Sequence, residues 1–465
     1  MKQLNNEKSE SQSNIRYDSP VKNFYKGRSV FVTGSTGFLG TVLIEKLLYT
    51  CEGVKRIYVL IKQKEGQSVK ERLSKFLESG AFQRLRESNP NFIHKIKPIA
   101  GNMLEQNFGL SEEDISVLRN EVSVVFHLAA NISFNMRMAD AINSNTKSTG
   151  ELLRICKGMV RLTAFVYIST AYSNCNKLVI DERVYKSEVP VNRVYELLQN
   201  SKQDDIFNLL LDGRPNAYTY SKALTEELIQ IHSNELPAVI IRPSIILSAL
   251  RDPQPGWLSS WNGIDQFIYG AITGQIRCIL ANPSFIVDTV PVDIVANLTI
   301  VAAWNLHVRR NNGDKMLKVF NCCSGQTNPI SNGRLMTLCM DSYSKEPNSR
   351  KLKIWLPIIK YPQLFYFMSI FLHLIPAMLI DFFNLFLGGK RKLTKDMKML
   401  SQKTQLFKHF LLNQFLFVDN NVRNLLSIMD ETDKIVFDFD IRNIKWETFL
   451  QHYVIGLRNI ALGKK

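Results

Sequence analysis

VTGSTGFLG, residues Val32 to Gly40, decides the fold of this 465-residue chain. It follows directly on the apolar run Ser29–Thr33, which we predict to be a strand, and it opens a helix that we predict over Gly40–Leu48. A glycine-rich turn between a strand and a helix can bind the pyrophosphate of a dinucleotide, because the helix N-terminus offers unpaired N–H groups and a positive dipole end. We therefore predict a dinucleotide site here, the alternative being a glycine-rich turn without a ligand.

Each glycine of the turn has its own expected task. Gly34 permits the tight turn, Gly37 lets a pyrophosphate approach the backbone, and Gly40 lets the helix pack close to the sheet. The spacing GxxGxxG is similar to that of the extended short-chain dehydrogenases. The residues that we predict to contact the cofactor at this turn are Thr33, Gly34, Thr36, Gly37, Phe38, Leu39 and Gly40.

Short apolar runs separated by longer helical segments continue beyond this turn. We interpret as further strands the runs Arg56–Ile61, Val122–His127, Ala164–Ser169 and Ala238–Ile241. This alternation predicts an α/β fold, a doubly wound parallel Rossmann-type sheet covered by helices on both faces.

The composition along the chain predicts three parts. Residues 1–26 are polar and charged, so we expect a disordered tail and no signal peptide. Residues 27–329 form the expected dinucleotide-binding domain, which the motifs described below assign to an NADP-binding reductase of the extended short-chain type. Residues 330–465 form the expected C-terminal domain, which is mainly helical and contains a hydrophobic segment at 361–387.

The chain has a formal net charge of +16, with 45% hydrophobic and 22% charged residues. This composition excludes a disordered or fibrous protein, and its basic excess favours polyanionic partners such as nucleotide phosphates, coenzyme A or an anionic membrane. We expect no nucleic-acid binding, because no surface motif interleaves aromatic and basic residues. The seven cysteines include no CxxC pair, so we expect no metal site, no disulfide framework and a reducing compartment.

The end of the second predicted strand indicates which dinucleotide is used. NAD-specific sheets place an acid there for the ribose hydroxyls, whereas this chain continues from Ile61 with Lys62-Gln63-Lys64. We predict that Lys62, together with Lys64, pairs with the 2′-phosphate of NADPH. The alternative is that both are solvated lysines at the end of a strand.

Tyr218 and Lys222 are four residues apart, which on a helix places them on one face. A nearby ammonium lowers the phenol pKa from about 10, so Tyr218 can donate its proton to an oxygen that becomes negative as hydride arrives. Ser169 and Thr170 end a predicted strand, and their hydroxyls can stabilise that oxygen. We predict catalytic roles for these four residues and favour Thr170 over Ser169, the alternative being a surface helix with an incidental Tyr and Lys.

Other reactive side chains carry weaker hypotheses. His127 follows a buried strand, so we interpret it as structural or cofactor-lining rather than as an acid or base. Cys322 and Cys323 could trap an acyl group, but nothing near them in the sequence lowers a thiol pKa. Tyr220 lacks a lysine four residues on, and we interpret it as a packing residue.

The segment from Tyr361 to Ile380 contains no Asp, Glu, Lys or Arg, and apolar residues continue to Leu387. It is long enough to span a bilayer, yet Pro362 and Pro376 interrupt it. It could span the membrane, dip into one leaflet or line a tunnel for an acyl chain, and we favour membrane association. Basic residues crowd in after it and would face the cytoplasmic side: Lys390, Arg391, Lys392, Lys395, Lys398, Lys403 and Lys408.

Nearly the whole chain, from about Phe24 to Leu462, resembles the eukaryotic, especially insect-type, fatty acyl-CoA reductases. The motifs that carry the resemblance, in order, are VTGSTGFLG, IYVLIK, VFHLAA, FVYISTAYSNC, YTYSKALTE, IIRPSII, PQPGW, DTVPVDIVAN, FNCCSGQTNPI and WETFLQHYVIGLRNIAL. The resemblance implies that a long-chain acyl-CoA takes two hydrides from two NADPH, passes through an aldehyde and leaves as a fatty alcohol and free coenzyme A.

The resemblance also implies site residues and has some departures. The family usually has Gly-Asp at the adenine contact, where this chain has Gly101-Asn102. Asn102 would therefore contact adenine with an amide, in which an NH2 donor replaces one of the two acceptor oxygens of an Asp carboxylate. Lys62 stands where Arg is frequent, giving a point charge in place of a bidentate clamp. Neither change removes a catalytic group.

Two other functions stay open at this stage. The first is a membrane-associated extended short-chain dehydrogenase acting on a sterol or another lipid alcohol, and the second is a nucleotide-sensing scaffold without activity. The C-terminal 130 residues favour the reductase over the first, and the retained Tyr218 and Lys222 disfavour the second. We expect the catalytic domain to face the cytosol on a membrane, at the endoplasmic reticulum or the peroxisome. Chain-length preference, aldehyde release and oligomeric state stay open.

Overall fold

A computed structural model describes residues 19–200, 210–261, 263–346, 356–387, 389 and 392–463. Its largest sheet has seven strands, which are all parallel to their neighbours. The described strands are β1 (Ser29–Thr33), β2 (Arg56–Ile61), β3 (Ile96–Ala100), β4 (Val122–His127), β5 (Ala164–Ile168), β6 (Val179–Ile180), β7 (Ala238–Pro243), β8 (Ile245–Leu247), β9 (Ile279–Leu280), β10 (Thr289–Pro291), β11 (Lys318–Cys322), β12 (Ile358–Ile359) and β13 (Leu416–Phe417).

The seven-stranded sheet has the order β11-β7-β5-β4-β1-β2-β3, in which the chain winds outward from β1 in both directions. Successive strand residues alternate between two cores. Val30 and Val32 belong to the core beneath the helices Phe38–Thr50 and Val292–Asn311, while Phe31 belongs to the core on the opposite face. The predicted α/β class, with a doubly wound parallel sheet, is therefore confirmed.

Helices cover both faces of the sheet and make up most of the C-terminal part. The described α-helices are Pro20–Tyr25, Phe38–Thr50, Val69–Leu77, Gln83–Ser88, Glu112–Glu121, Met138–Ala141, Ser148–Lys157, Val191–Asn200, Ala217–His232, Gly263–Ile272, Val292–Asn311, Asn332–Ser344, Pro362–Ser369, Ile375–Phe386, Leu393–Leu412, Asn420–Ile428, Glu431–Val436 and Trp446–Ala461. Two π-helical segments join neighbouring helices, at Ile142–Lys147 and Ile370–Leu374. The described 3₁₀ turns are Gly80–Phe82, Pro90–Lys95, Gln106–Gly109, Ala171–Asn174 and Ile441–Asn443.

The predicted disordered tail extends too far along the chain. Residues 19–26 are ordered, because the helix Pro20–Tyr25 buries both Val21 and Tyr25 completely. The Tyr25 hydroxyl donates to the Ile300 carbonyl at 2.8 Å, and the Val21 N–H donates to the Asp433 carboxylate at 3.0 Å. The tail prediction is therefore wrong for residues 19–26, and residues 1–18 lie outside the described residues.

The C-terminal part is bound to the sheet domain by short strands as well as by side chains. β13 pairs with β6, and β12 pairs with β9, so each pair joins one strand from before residue 330 to one from after it. The helix Trp446–Ala461 shares one hydrophobic core with the sheet, and its Tyr453 hydroxyl donates to Asp265 at 2.6 Å. These contacts place C-terminal helices beside the carboxyl edge of the sheet.

Candidate active site

The glycine turn after β1 depends on two close backbone approaches. Gly34 has a φ of +72°, and a Cβ there would lie 2.7 Å from the backbone nitrogen of Ala129, which follows β4. A Cβ at Gly40 would lie 2.3 Å from the Gly34 carbonyl oxygen. The close approach that requires Gly40 is therefore to the turn itself, and not to the sheet as the sequence led us to expect.

The same turn fits a dinucleotide pyrophosphate. Thr36 and Gly37 are exposed, and Phe38 is half-buried and stacks on Trp257 with ring centroids 5.7 Å apart. Gly37 caps the helix Phe38–Thr50 without a side-chain hydrogen bond, and the first turn of that helix carries no acidic residue. Its first N–H groups thus face an accessible surface with a positive dipole end. Thr33, Leu39 and Gly40 are buried behind this surface.

His127 ends β4 beside the turn and is completely buried. The Thr149 hydroxyl donates to the Asn145 carbonyl, so His127 Nε2–H donates to Thr149 at 2.8 Å and Nδ1 accepts from Thr33 at 2.7 Å. Burial, and then the Lys222 ammonium, lower the His127 pKa to about 3. The imidazole is therefore neutral and fully engaged, which fits the structural interpretation of this residue.

Lys62 and Lys64 lie where the sequence predicts them, immediately after β2 at the carboxyl edge of the sheet, and both side chains are exposed. The sequence analysis missed Arg72, whose guanidinium donates to the Lys62 carbonyl and adds a third cation at this position. Asn102 follows β3 at the same edge, but its side-chain amide donates to Glu105 at 2.8 Å. An adenine contact by that amide would compete with this bond.

The predicted Tyr–Lys pair lies on one helix, Ala217–His232, which we call the Tyr-Lys helix. Asn216 caps it by accepting from the Thr219 N–H at 3.0 Å. Lys222 is buried, its Nζ donates to the Ile168 carbonyl at the end of β5 at 2.6 Å, and it lies 4.3 Å from the centre of the Tyr167 ring. Burial lowers the Lys222 pKa to about 7, although Glu226 opposes this effect.

Tyr218 is half-buried, and the Thr170 side chain lies close enough to its phenol to affect the phenol pKa. Burial raises the Tyr218 pKa to about 12, and the nearby Thr170 hydroxyl lowers it in part. The expected lowering by Lys222 is absent, because that ammonium is directed at the Ile168 carbonyl and not at the phenol. The sequence-based account of how Tyr218 is activated is therefore wrong for the protein without its cofactor.

The two predicted hydroxyls have different surroundings. Thr170 contacts Tyr218, whereas Ser169 donates to the buried Glu226 at 2.5 Å. Glu226 in turn pairs with the fully buried Arg242 at 2.6 Å. The geometry thus brings Thr170, Tyr218 and Lys222 together and directs Ser169 into a structural network.

Asn145 is a further polar residue of this site that the sequence analysis missed. It lies in the π-helical segment Ile142–Lys147 and is buried. Its Oδ1 accepts from the Asn131 N–H at 2.8 Å, and its Nδ2 donates to the Ser221 hydroxyl at 2.9 Å. Asn145 therefore fixes the loop after β4 against the Tyr-Lys helix. In the sequence, the one feature that could have pointed to Asn145 is its position in a polar run within a buried helical segment.

An aromatic cluster, Phe134, Phe407 and Phe410, covers Tyr218. Phe134 stacks on the Tyr218 ring with centroids 5.7 Å apart and an interplanar angle of 24°. Phe407 and Phe410 contact Phe134 at 5.2 Å and 5.5 Å. They belong to the helix Leu393–Leu412, so the C-terminal part reaches the predicted catalytic tyrosine.

Cys322 and Cys323 do not form a nucleophilic site. Both thiols are buried, and burial raises the pKa of each, with Asp288 adding to the effect. Neither is a thiolate near neutral pH. Among the described residues, no group of three or more His, Cys, Asp or Glu side chains is arranged to hold a metal ion.

Solved structures share this architecture. The terminal R domain from the myxalamid PKS-NRPS biosynthetic pathway aligns with a TM-score of 0.63 at 17% identity, over 94% of this chain and 92% of that one. The reductase (R) domain of nonribosomal peptide synthetase from Mycobacterium tuberculosis aligns at 0.62, also at 17% identity, over 94% and 93%. These likenesses, with the glycine turn and the Tyr–Lys helix, define an extended short-chain reductase fold with a nicotinamide cofactor site.

Sequence comparison then gives the family. The family described as "Male sterility protein" matches residues 32–299 in its NAD-binding part and residues 372–464 in a second part. Fatty acyl-CoA reductase 1 of Xenopus laevis is 32% identical over 96% of this chain and 87% of its own length. Fatty acyl-CoA reductase 2 of Mus musculus is 33% identical over 96% and 86%. The chain belongs to the fatty acyl-CoA reductase family and is an oxidoreductase.

Proposed function

We propose that this protein reduces long-chain fatty acyl-CoA to fatty alcohol with NADPH, through an aldehyde, and releases coenzyme A. The observation that carries the proposal is the arrangement of Thr170, Tyr218 and Lys222 after β5, in a chain whose glycine turn leads into a helix N-terminus without a side-chain cap. The names of the relatives supply the substrate class. In the division of labour that we propose, residues 27–329 reduce the substrate, and residues 330–465 bind its acyl chain and the membrane.

The bound NADPH supplies two electrons and a proton as hydride. In the first step Tyr218 would donate its proton to the thioester carbonyl oxygen as the carbonyl carbon receives hydride, and the Thr170 hydroxyl would stabilise the developing charge. As the carbon–sulfur bond breaks, the adduct hydroxyl would return its proton to the Tyr218 phenolate, and the coenzyme A thiolate would take up a proton from water. In the second step Tyr218 would again protonate the carbonyl oxygen as the aldehyde receives hydride from a second NADPH, and the resulting phenolate would be reprotonated from water.

Lys222 and Lys62 have binding roles in this proposal. The Lys222 ammonium lies at the carboxyl edge of β5, where it would hold a nicotinamide ribose hydroxyl if a bound cofactor drew it from the Ile168 carbonyl. Its approach would then stabilise the Tyr218 phenolate, which the protein without cofactor does not do. Lys62, Lys64 and Arg72 give the end of β2 three cations, which favours the extra phosphate of NADPH over NADH.

A lipid surface is the partner that we propose for the helix Pro362–Phe386, here called the apolar helix. By length and composition it could cross a membrane, and only 17% of its most apolar window is buried inside the protein. Phe371, Phe382 and Phe386 are among its exposed side chains. Such a surface is unfavourable in water, whereas exposed basic residues follow it at Lys392, Lys395 and Lys398.

The contacts of the apolar helix support attachment to one leaflet rather than a span. Phe365, His373, Ala377 and Asp381 are buried at helical spacing, so one face of the helix packs on the protein along most of its length. His373 accepts from the Arg277 N–H at 2.7 Å, and Asp381 accepts from the Thr394 N–H at 2.8 Å. A helix fixed to the globular body in this way lies along its surface, with the opposite face free for lipid.

Product analysis tests the proposed function. Detergent-solubilised full-length protein is incubated with NADPH and long-chain acyl-CoA, released thiol is measured, and products are identified by mass spectrometry. We expect fatty alcohol and one free thiol for each alcohol formed. A lipid-alcohol dehydrogenase would instead oxidise a sterol with NADP⁺ and release no thiol, and that outcome would overturn the proposal.

A further inference from the structure

We propose that the aromatic cluster of Phe134, Phe407 and Phe410 is the surface against which the acyl chain packs beside the thioester, so that the C-terminal helix Leu393–Leu412 selects linear long-chain substrates. This inference rests on the proposed function and adds to it the residues that recognise the chain. The sequence motifs assign no role to Phe407 or Phe410, which lie outside all of the motifs quoted from this chain.

The position of the cluster is the first argument. Phe134 stacks directly on the ring whose hydroxyl meets the reacting carbonyl, at 5.7 Å, and Phe407 lies one ring further out, at 5.2 Å from Phe134. A substrate whose carbonyl oxygen reaches the Tyr218 hydroxyl must therefore run its first methylene groups past these rings. Aromatic faces next to the reacting atoms offer such a chain apolar contact but no hydrogen bond.

The partial exposure of the cluster is the second argument. Phe134, Phe407 and Phe410 are all half-buried, unlike the core aromatics Phe31 and Phe126, which are completely buried. Rings that served only to join two domains would gain more by complete burial. Their remaining apolar surface is free to contact a ligand.

The third argument is that the helix carrying Phe407 and Phe410 also contacts the proposed lipid surface. Tyr366, Met368 and Leu372 of the apolar helix pack in one cluster with Leu412, at the end of the helix Leu393–Leu412. The Tyr366 hydroxyl also donates to the Gln405 side chain, on the same helix. One helix therefore joins the apolar helix to the rings that cover Tyr218.

The test compares acyl-chain selectivity in Phe407→Ala and Phe407→Leu with that of the unaltered full-length protein. Each methylene that loses its contact should lower kcat/KM about fourfold, so chains long enough to pass Phe407 should lose about tenfold or more. A short acyl-CoA whose chain ends before it reaches Phe407 should lose much less, and Phe407→Leu should restore most of the long-chain activity. The loss should appear mainly in KM for the long chain.

Trp304→Ala is the matched control, because Trp304 is a half-buried aromatic residue of the helix Val292–Asn311 that belongs to no contact with Tyr218. It should leave the ratio of long-chain to short-chain kcat/KM unchanged.

Fatty aldehydes of graded length provide a second substrate series. Because they lack coenzyme A, differences in kcat/KM among them report on the length of the chain alone. An equal loss for all chain lengths, or an unchanged ratio in Phe407→Ala, would overturn the inference while acyl-CoA reduction itself persists. Failure of the unaltered protein to reduce any acyl-CoA would overturn the proposed function instead.

Discussion

At the scale of single residues, Tyr218 and Lys222 show how burial changes the pKa of each member of the predicted catalytic pair. Burial disfavours the charged form of each, so the phenol pKa rises to about 12 and the ammonium pKa falls to about 7. In the proposed mechanism, a bound cofactor would draw Lys222 from the Ile168 carbonyl toward Tyr218, and cofactor binding would thereby activate the acid.

Tyr218→Phe keeps the ring and its stacking on Phe134 but removes the proton. We expect kcat to fall by about 10²-fold or more, while NADPH affinity measured by fluorescence titration changes little. Tyr220→Phe is the matched control, because the Tyr220 hydroxyl is buried without a hydrogen-bond partner among the described residues. That change should leave kcat near normal, and a normal kcat in Tyr218→Phe would refute the assigned role.

Ser169 and Thr170 are adjacent hydroxyls for which the structure predicts opposite effects. Thr170→Val removes the hydroxyl that contacts Tyr218, so kcat should fall by about 10²-fold with little loss of stability. Ser169→Ala removes the donor to the buried Glu226, so the free energy of unfolding should fall by about 1 to 3 kcal/mol. Urea unfolding and steady-state rates measure both. The reverse pattern would show that Ser169 is the hydroxyl at the reacting oxygen.

The buried Lys222 predicts a pH dependence with a definite sign. Because burial lowers its pKa to about 7, the free enzyme loses the ammonium as the pH rises through 7. If that charge is needed to bind the ribose and to stabilise the phenolate, kcat/KM should fall along the alkaline side of neutrality. The Lys222→Arg variant stays positively charged above pH 7, so the kcat/KM of its residual activity should not fall on the alkaline side. A flat profile for the unaltered protein would contradict the role.

At the scale of elements, the carboxyl edge of the sheet brings together the ends of strands that are far apart in sequence. The cations after β2 and the glycine turn after β1 are neighbours only because β1 and β2 pair in parallel. Lys62→Glu should therefore lower the preference for NADPH over NADH by about tenfold or more, as measured by the ratio of kcat/KM values. Lys26→Glu is the control, since it makes the same charge change before β1, at the amino edge. Equal use of both cofactors by the unaltered protein would remove the assignment of Lys62.

The sequence predicts the central strands well and the edge strands poorly. β1, β2 and β4 have the predicted bounds, because each is a run of apolar residues buried on both faces. β3 and β11 were not predicted, and both are edge strands of the sheet. β3 contains Lys97 and Pro98 and is partly exposed, so its sequence lacks a continuous apolar run. Edge positions tolerate such residues because they have a neighbour on one side only.

For the candidate site as well, the sequence predicts the features that depend on neighbouring residues and misses those that depend on contacts between distant parts of the chain. The glycine turn and the Tyr–Lys spacing are local patterns: the turn lies between β1 and a helix, and Tyr218 and Lys222 lie on one helix, as the sequence predicts. The contact of Phe407 with Phe134 joins residues from opposite ends of the chain, and no local pattern encodes it. The separation of Ser169 from Thr170 depends on Glu226 and Arg242, which only the folded chain brings near.

At the scale of the whole molecule, the C-terminal part joins the proposed lipid surface to the proposed reducing site. The apolar helix has a free apolar face, and the next helix, fixed to it through Asp381, carries the rings that cover Tyr218. A substrate that partitions into membranes could thus pass to the site without exposing its chain to water. This arrangement requires the apolar helix to stay beside the catalytic domain, on one side of the bilayer.

Cysteine labelling tests which side each flank of the apolar helix occupies. All seven native cysteines are buried, so single cysteines introduced by Lys360→Cys and Lys392→Cys, both at exposed positions, can be labelled selectively. If the helix rests on one leaflet, a membrane-impermeant maleimide added to sealed vesicles should label both flanks to the same extent. Permeabilising the vesicles with detergent should then add no label at either position. A spanning helix would protect one flank until the vesicles are opened, because its ends lie in different compartments. That result would be incompatible with the hydrogen bonds of Asp381 and His373, which hold the apolar helix on the rest of the protein. It would contradict the one-leaflet arrangement.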